Sequence, residues 1–111
     1  MAYDEELAER IRGLVGNEPG LAEKKIFGGL AFLIGGNMAV AASSEGGLLV
    51  RVDPEDSDEL VETTPAYLMK MRRKTMRGWL RVDSADVSSD GDLAAWVDRG
   101  TTYARSLPAK G

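Results

Sequence analysis

The sequence predicts an α+β domain. We expect an N-terminal helix, an antiparallel sheet of about four to five strands, a short middle helix, and a C-terminal helix packed on one face of the sheet. Three observations lead to this class. Apolar residues repeat at helical spacing near both ends of the chain, short apolar runs separated by glycine-rich turns fill residues 24–52, and an Asp-Pro pair follows them. Sequential strands joined by tight turns pair antiparallel, and helices cover one apolar face. Residues 1–111 are therefore expected to form a single domain.

The first helix is expected to run from about Asp4 to Val15, with Asp4 capping its first turn. Its buried face is predicted from apolar residues spaced i, i+4, i+7 and i+8, namely Leu7, Ile11, Leu14 and Val15.

The other two helices are predicted from their starting signals. Asp53 as cap and Pro54 at the first helical position indicate a short helix that ends near Glu62. The last helix is expected to begin near Asp90, with that residue as its cap, and to end at Leu107-Pro108. Gly100 within it is interpreted as allowing a close approach to the sheet.

The first part of the sheet is predicted from residues 24–42. Gly28-Gly29 interrupts an apolar stretch and is interpreted as a bulge or a break between two strand pieces. Gly35-Gly36-Asn37 is predicted to be a hairpin turn, after which residues 38–42 pair back.

Two further strands are predicted at residues 48–52 and 79–82, whereas residues 66–78 carry no decisive pattern. Residues 26–44 contain no charge and approach the length of a membrane span. Their internal glycines favour two strands and a turn over a membrane helix.

The composition restricts the function. The chain contains no His and no Cys, which excludes thiol nucleophiles, Ser-His-Asp triads and zinc sites of the usual kind. We therefore expect no enzymatic activity, no metal and no cofactor. The formal net charge of −4 disfavours a nucleic-acid partner. The acidic N-terminus lacks the pattern of a signal peptide, so a cytoplasmic location is expected.

Several stretches, taken in order, resemble the TfoX N-terminal domain family, whose namesake TfoX is also called Sxy. These are Lys24-Lys25-Ile26-Phe27-Gly28-Gly29-Leu30-Ala31-Phe32, Gly36-Asn37-Met38-Ala39, Leu49-Val50-Arg51-Val52, Met76-Arg77-Gly78-Trp79, and Trp96-Val97 through Tyr103-Ala104-Arg105-Ser106-Leu107-Pro108. Ile26 stands where the family usually has Met, which keeps an apolar side chain at that position.

The resemblance implies a compact α+β fold and a bacterial protein. Members with a second, C-terminal domain regulate natural competence. We expect this chain to be a freestanding copy of the N-terminal domain alone. The resemblance supplies no catalytic residues, and it implies a regulatory role in competence or transcription.

Six of the 14 basic residues lie within 12 positions, and we call them the basic run: Lys70, Arg72, Arg73, Lys74, Arg77 and Arg81. Met69, Met71, Met76 and Trp79 are interleaved with them. The run is consistent with contacts to phosphates while Trp79 stacks on a base, with docking of an acidic partner, or with a solvated loop that balances nearby acids.

Strand alternation adds a second hypothesis. Trp79 and Arg81 share one face of their strand, and Arg51 lies opposite the aliphatic face of its own. If the aliphatic faces meet the helices, these three side chains form an exposed Arg/Trp patch able to bind a partner. The alternative is that Trp79 belongs to the core.

The segment Lys24-Lys25-Ile26-Phe27-Gly28-Gly29 carries no phosphate-loop pattern and is interpreted as a structural motif, with Lys24, Lys25, Phe27, Gly28 and Gly29 as its defining residues. The sequence thus favours a non-enzymatic interaction module with an unidentified protein partner, self-association included. A nucleic-acid-associated domain that uses residues 70–81 and a small-ligand-binding domain are the alternatives.

Overall fold

The computed structural model of the protein describes residues 3–26, 28–71 and 73–108. The elements in chain order are α1 (Glu5–Val15), β1 (Leu21–Ile26), β2 (Gly29–Ile34), β3 (Asn37–Ala42), β4 (Leu48–Arg51), α2 (Ser57–Thr63), β5 (Tyr67–Met71), β6 (Lys74–Val82), a 3-10 turn (Ser84–Val87) and α3 (Asp90–Ser106). The predicted α+β class is confirmed.

The sheet has six antiparallel strands in the order β1-β2-β3-β4-β6-β5, one more than the upper end of the prediction. The break expected at Gly28-Gly29 is the β1–β2 hairpin, in which Ile26 pairs with Gly29 and Gly28 has a φ of 79°. Residues 66–78, which carried no decisive pattern, supply β5 and the first half of β6. Phe27 and Arg72 lie outside the described residues.

The β2–β3 hairpin predicted from the sequence is present, but the placement of Asn37 in its turn was wrong, because Asn37 is the first residue of β3. Ile34 pairs with Asn37, so Gly35 and Gly36 form a two-residue turn with φ values of 60° and 83°. Two successive residues with positive φ match the right-handed twist of a hairpin, and glycine adopts this conformation without steric cost.

The three helices pack against one face of the sheet around one main core. Ile11, Phe32, Val50 and Leu80 have no exposed surface there. On α1, Ala8 is buried, whereas Leu14 is 48% exposed, so its predicted place in the buried face was wrong. The position three residues after Ile11 falls at the solvent edge of the apolar stripe.

Of the caps predicted for α1 and α3, only the cap of α1 is confirmed. The Leu7 backbone N–H donates to the Asp4 carboxylate at 3.1 Å, as predicted. At α3 the cap is Ser89, whose hydroxyl accepts from the Asp92 backbone at 3.2 Å, so the prediction of Asp90 as cap was wrong. A cap needs an extended backbone, and Asp90 already lies in the helix.

The middle helix also begins later than predicted, at Ser57. Asp53 accepts instead from the Glu55 backbone N–H at 2.9 Å and closes a turn ahead of the helix. The fully buried Ser57 hydroxyl donates to the Pro54 carbonyl and accepts from the Gly78 N–H, each at 2.8 Å. This long-range contact joins α2 to β6, which local helix signals do not reveal.

Gly100 allows α3 to lie directly on β3, as its sequence position predicted. A Cβ at this position would lie 2.4 Å from the Ala39 carbonyl oxygen and 2.8 Å from a Val40 methyl group. Among the helices of the described ranges, none has the length and apolar character needed to cross a membrane.

Candidate interaction groove

The candidate site lies on the face of the sheet that carries no helix. Along β4 and β6, Val50 and Leu80 point to the helices and are fully buried. The residues that alternate with them, Leu49, Trp79 and Arg81, point the other way and are partly exposed. Alternation along strands thus separates an apolar core face from a mixed face.

This second face bears an open depression of about 780 Å³, here called the sheet groove. Strands and their turns supply all of its lining residues, which are Lys24, Ile26, Gly29, Ala31, Leu33, Gly36, Met38, Ala41, Ala42, Ser43, Ser44, Glu45, Leu49, Arg51, Met69, Met76, Trp79 and Arg81. The volume falls in the range of sites that bind a small ligand or a few side chains of a partner.

Two irregularities in the sheet shape the groove. The register shifts between Phe32 and Leu33, so Leu33 pairs with Met38 and both side chains face the groove. A larger shift lies between β5 and β6, where Met69 pairs with Met76 and Gly78 has a φ of 89°. Bulges of this kind bend strands and redirect side chains.

The floor of the groove is mostly aliphatic and thioether. Met38, Met69 and Met76 line it together with Leu33 and Leu49. Methionine is unbranched and polarisable, so a surface rich in it can adapt its shape to different apolar side chains. The sequence showed Met69 and Met76 among the basic run, but the place of Met38 depends on the strand order and on the bulge.

The charges in the groove are unbalanced. Three cations, Lys24, Arg51 and Arg81, line it with one carboxylate, Glu45, whereas the whole chain has a net charge of −4. A local excess of positive charge on an acidic protein attracts negative groups to this face.

Arg81 is held by polar contacts. Its guanidinium donates to the Glu45 carboxylate at 2.7 Å and to the Gly46 carbonyl at 3.3 Å, and its side chain is 14% exposed. Its charge is therefore neutralised within the protein, and it fixes the turn between β3 and β4.

Arg51 is held by aromatic rings. Its guanidinium carbon lies 5.1 Å from the centroid of the Trp79 ring and 5.7 Å from that of Tyr103 on α3. Within the described part of the chain, its side chain forms no hydrogen bond or ion pair. Ring faces attract the guanidinium cation but leave its N–H groups available to a hydrogen-bond acceptor.

The structure thus places the three residues of the predicted Arg/Trp patch on one surface. Trp79 is partly exposed and lies outside the core, so the alternative prediction that it belongs to the core was wrong. Whether this surface binds a partner stays a prediction.

The basic run does not form one surface. Lys70, Arg73 and Lys74 are exposed at the β5–β6 hairpin, where Arg73 has a φ of 72°. Arg77 donates to the Pro54 carbonyl at 3.1 Å and lies 3.8 Å from the Asp58 carboxylate at the start of α2. Arg81 lies in the groove, and Arg72 is outside the described residues.

The residues of the Lys-Lys-Ile-Phe-Gly-Gly segment have separate positions. Lys24 lines the groove, and Lys25 is exposed on β1. Gly28 occupies the turn, and a Cβ on Gly29 would lie 2.6 Å from the Ala42 carbonyl oxygen. Phe27 belongs to the undescribed positions.

An ion pair between α1 and β1 shifts the pKa values of both its partners. Two hydrogen bonds of 2.7 Å from the Arg12 guanidinium lower the pKa of Glu23, and the same contact raises the pKa of Arg12. Residues 3–26, 28–71 and 73–108 contain no cluster of three or more Asp, Glu, His or Cys side chains that could hold a metal ion.

Comparison with known proteins supports the resemblance seen in the sequence. The sequence profile of the TfoX N-terminal domain matches residues 14–104, which is most of the chain. These residues include every strand of the sheet and nearly all of α3. No curated protein matches the chain.

Proposed function

The protein belongs to the TfoX N-terminal domain family, and we propose that it is a non-enzymatic interaction module with a regulatory role in the bacterial cytoplasm. Its contact surface is the sheet groove, where it binds an apolar segment of a partner protein. The observation that carries this proposal is the apolar floor of the groove, which the helices leave uncovered.

Two features support a binding role over catalysis. The chain has no His or Cys, and the one carboxylate that lines the groove, Glu45, is paired with Arg81. A general acid or base must reach the reacting group and exchange a proton with it. A contiguous apolar surface is instead a feature of protein-binding sites.

A site-specific photo-crosslinking experiment in cells of the native host tests the proposal. A benzophenone amino acid replaces Leu49 in the groove, and in a matched variant it replaces Leu14, which is exposed on α1. We expect a discrete crosslinked protein from position 49 and not from position 14. The Trp79→Ala substitution should remove that product. Crosslinking that is absent at position 49, or equal at both positions, would contradict the proposal.

A nucleic-acid-associated domain is the second candidate, because Lys70, Arg73 and Lys74 are exposed together at the β5–β6 hairpin. Replacement of Arg72, Arg73 and Lys74 by Gln tests it in gel-shift assays with mixed-sequence DNA and RNA. A salt-dependent shift that the triple variant loses would favour this candidate over the groove.

A further inference from the structure

We propose that the partner segment is acidic as well as apolar, and that Arg51 is the residue that receives its carboxylate. This inference rests on the proposed function, because it names the chemistry of the occupant of the same groove. It predicts that Arg51 contributes specificity and that the floor supplies most of the buried contact.

The groove carries an excess of positive charge. Lys24 and Arg51 line the groove without an ion pair among the described residues, while Glu45 neutralises Arg81. A carboxylate on the partner would be attracted to this surface and would encounter one acidic lining residue that is already paired.

The two arginines of the groove differ in how many of their N–H groups are available to a partner. Arg81 uses its N–H groups on Glu45 and Gly46, so it has little capacity for a partner. Arg51 is fixed beside Trp79 and Tyr103 by its π contacts, and its donors have no acceptor within the described ranges. An arginine held in place by rings is suited to a two-bond contact with a carboxylate, and less ordering of the side chain is needed on binding.

The apolar residues of the groove share its surface with Arg51 and define the rest of the occupant. The carboxylate site at Arg51 adjoins Trp79, and the thioethers of Met69 and Met76 line the same groove. A segment with one acidic residue flanked by apolar residues would satisfy both parts of the groove at once. Interface hot spots combine an anchoring contact with surrounding contacts that exclude water.

Charge complementarity also decides against two other occupants. A second copy that docks groove to groove would bring like charges together, because a two-fold interface places the same surface on both sides. A nucleic-acid strand would bring the Glu45 carboxylate close to phosphates, and among the described residues of the groove it would find one aromatic ring, that of Trp79.

Selection from a phage-displayed library of random peptides tests the inference. Peptides of about 12 residues are long enough for three helical turns. The purified full chain serves as bait, and the probe for measurement is the strongest selected peptide together with its variant in which Glu or Asp becomes Gln or Asn. We expect enrichment of acidic residues flanked by Leu, Phe or Trp.

Two variants of the protein give the matched comparison. Arg51→Gln should weaken binding of the acidic peptide by about tenfold or more, and should bind its neutral variant as the unaltered protein does. Arg81→Gln combined with Glu45→Gln removes the paired arginine without leaving an unpaired carboxylate in the groove, and this double variant should retain the preference for the acidic peptide. Arg51→Lys keeps the charge without the planar fork and should fall between them. Thermal unfolding of each variant checks that the fold is retained.

The outcomes separate this inference from the proposed function. Groove-binding peptides without acidic enrichment, or equal losses in Arg51→Gln and in the variant that combines Arg81→Gln with Glu45→Gln, would overturn the role of Arg51. The photo-crosslinking result at position 49 would still stand in that case. Conversely, selected acidic peptides that depend on Arg51 would support the carboxylate site even if crosslinking in cells gave no partner and the regulatory proposal failed.

Discussion

The two faces of the sheet are built from alternate residues of the same strands, yet they have opposite surroundings. On the helix side, Val50 and Leu80 pair across β4 and β6 with no exposed surface. On the groove side, the neighbouring pair of Arg51 and Trp79 is partly exposed and makes a cation–π contact. The core residues of one face stabilise the fold, which leaves the other face free of that requirement.

The same contrast recurs within the groove. Arg81 is neutralised by Glu45 and holds a turn, whereas Arg51 lies against rings. Two arginines on the neighbouring strands β4 and β6 therefore have different capacities for a partner. Exposure and charge alone therefore do not identify a binding residue, because partners within the protein decide which donors remain available.

The largest expected effect comes from truncating one leucine on each face. Leu80→Ala removes fully buried surface and leaves a cavity, which should reduce the free energy of unfolding by about 2–5 kcal/mol. Leu49→Ala in the groove should reduce it by about 1 kcal/mol or less, because Leu49 is already partly exposed. Urea unfolding curves of both variants measure the difference. Equal losses would mean that the groove face is covered in solution, for example by a second copy.

The second expected effect concerns the contact that seats α3 on the sheet. Gly100→Ala places a methyl group within 2.4 Å of the Ala39 carbonyl oxygen, so α3 must move away. We expect a loss of about 1–3 kcal/mol in unfolding free energy.

Gly13→Ala on α1 is the matched control for that substitution. It meets no atom within 4 Å, and it should stabilise the protein by up to about 1 kcal/mol through helix propensity. Thermal unfolding of the pair is the measurement. A stabilising effect at both positions would show that α3 is not seated through Gly100.

The sequence predicted the parts of this structure that depend on local signals. Alternation of apolar and polar residues in β4 and β6 predicts, without knowledge of the strand order, that Arg51, Trp79 and Arg81 lie on one face of the sheet. The Asp4 cap and the two glycines of the predicted Gly35-Gly36-Asn37 turn also follow from residues that favour one local geometry.

The remaining features arise from contacts between distant residues. The β5–β6 hairpin escaped prediction because Arg73, a residue with no turn preference, adopts a positive φ there. The groove as a whole could not be predicted from the sequence. Lys24, Met38 and Glu45 share a surface with Arg51 only because of the strand order and two register shifts. Register shifts have no fixed residue signature, so alternation alone cannot carry a side chain across them.

A third, comparable or smaller effect is expected at the joint that positions Trp79. Ser57→Ala removes the hydroxyl that accepts from the buried Gly78 N–H, directly before Trp79. An unsatisfied buried donor should cost about 1–2 kcal/mol in unfolding free energy.

The control for this joint is Ser88→Ala, which removes an exposed hydroxyl and should change stability by less than about 0.5 kcal/mol. In a Trp96→Phe background, Trp79 is the single indole, so the emission spectrum reports on its position. Ser57→Ala should shift this spectrum, and Ser88→Ala should leave it unchanged. An unchanged spectrum together with a stability loss would show that Ser57 supports α2 without positioning Trp79.

The smallest expected effect lies at the ion pair that joins α1 to β1, on the helix side of the sheet. Arg12 donates two hydrogen bonds to Glu23 and lowers the pKa of that carboxyl below its ordinary value of 4.5. Because the lowered pKa belongs to the folded state, the pair stabilises the fold fully above pH 4.5, and its contribution is lost as pH falls through the lowered pKa.

Both side chains are substantially exposed, so Glu23→Gln should reduce stability at neutral pH by less than about 1 kcal/mol. The difference between Glu23→Gln and the unaltered protein should shrink towards zero in acid and in about 1 M salt, where charges are screened within about 3 Å. Urea unfolding at several pH values measures it. A difference that persisted in acid would assign the role of Glu23 to packing.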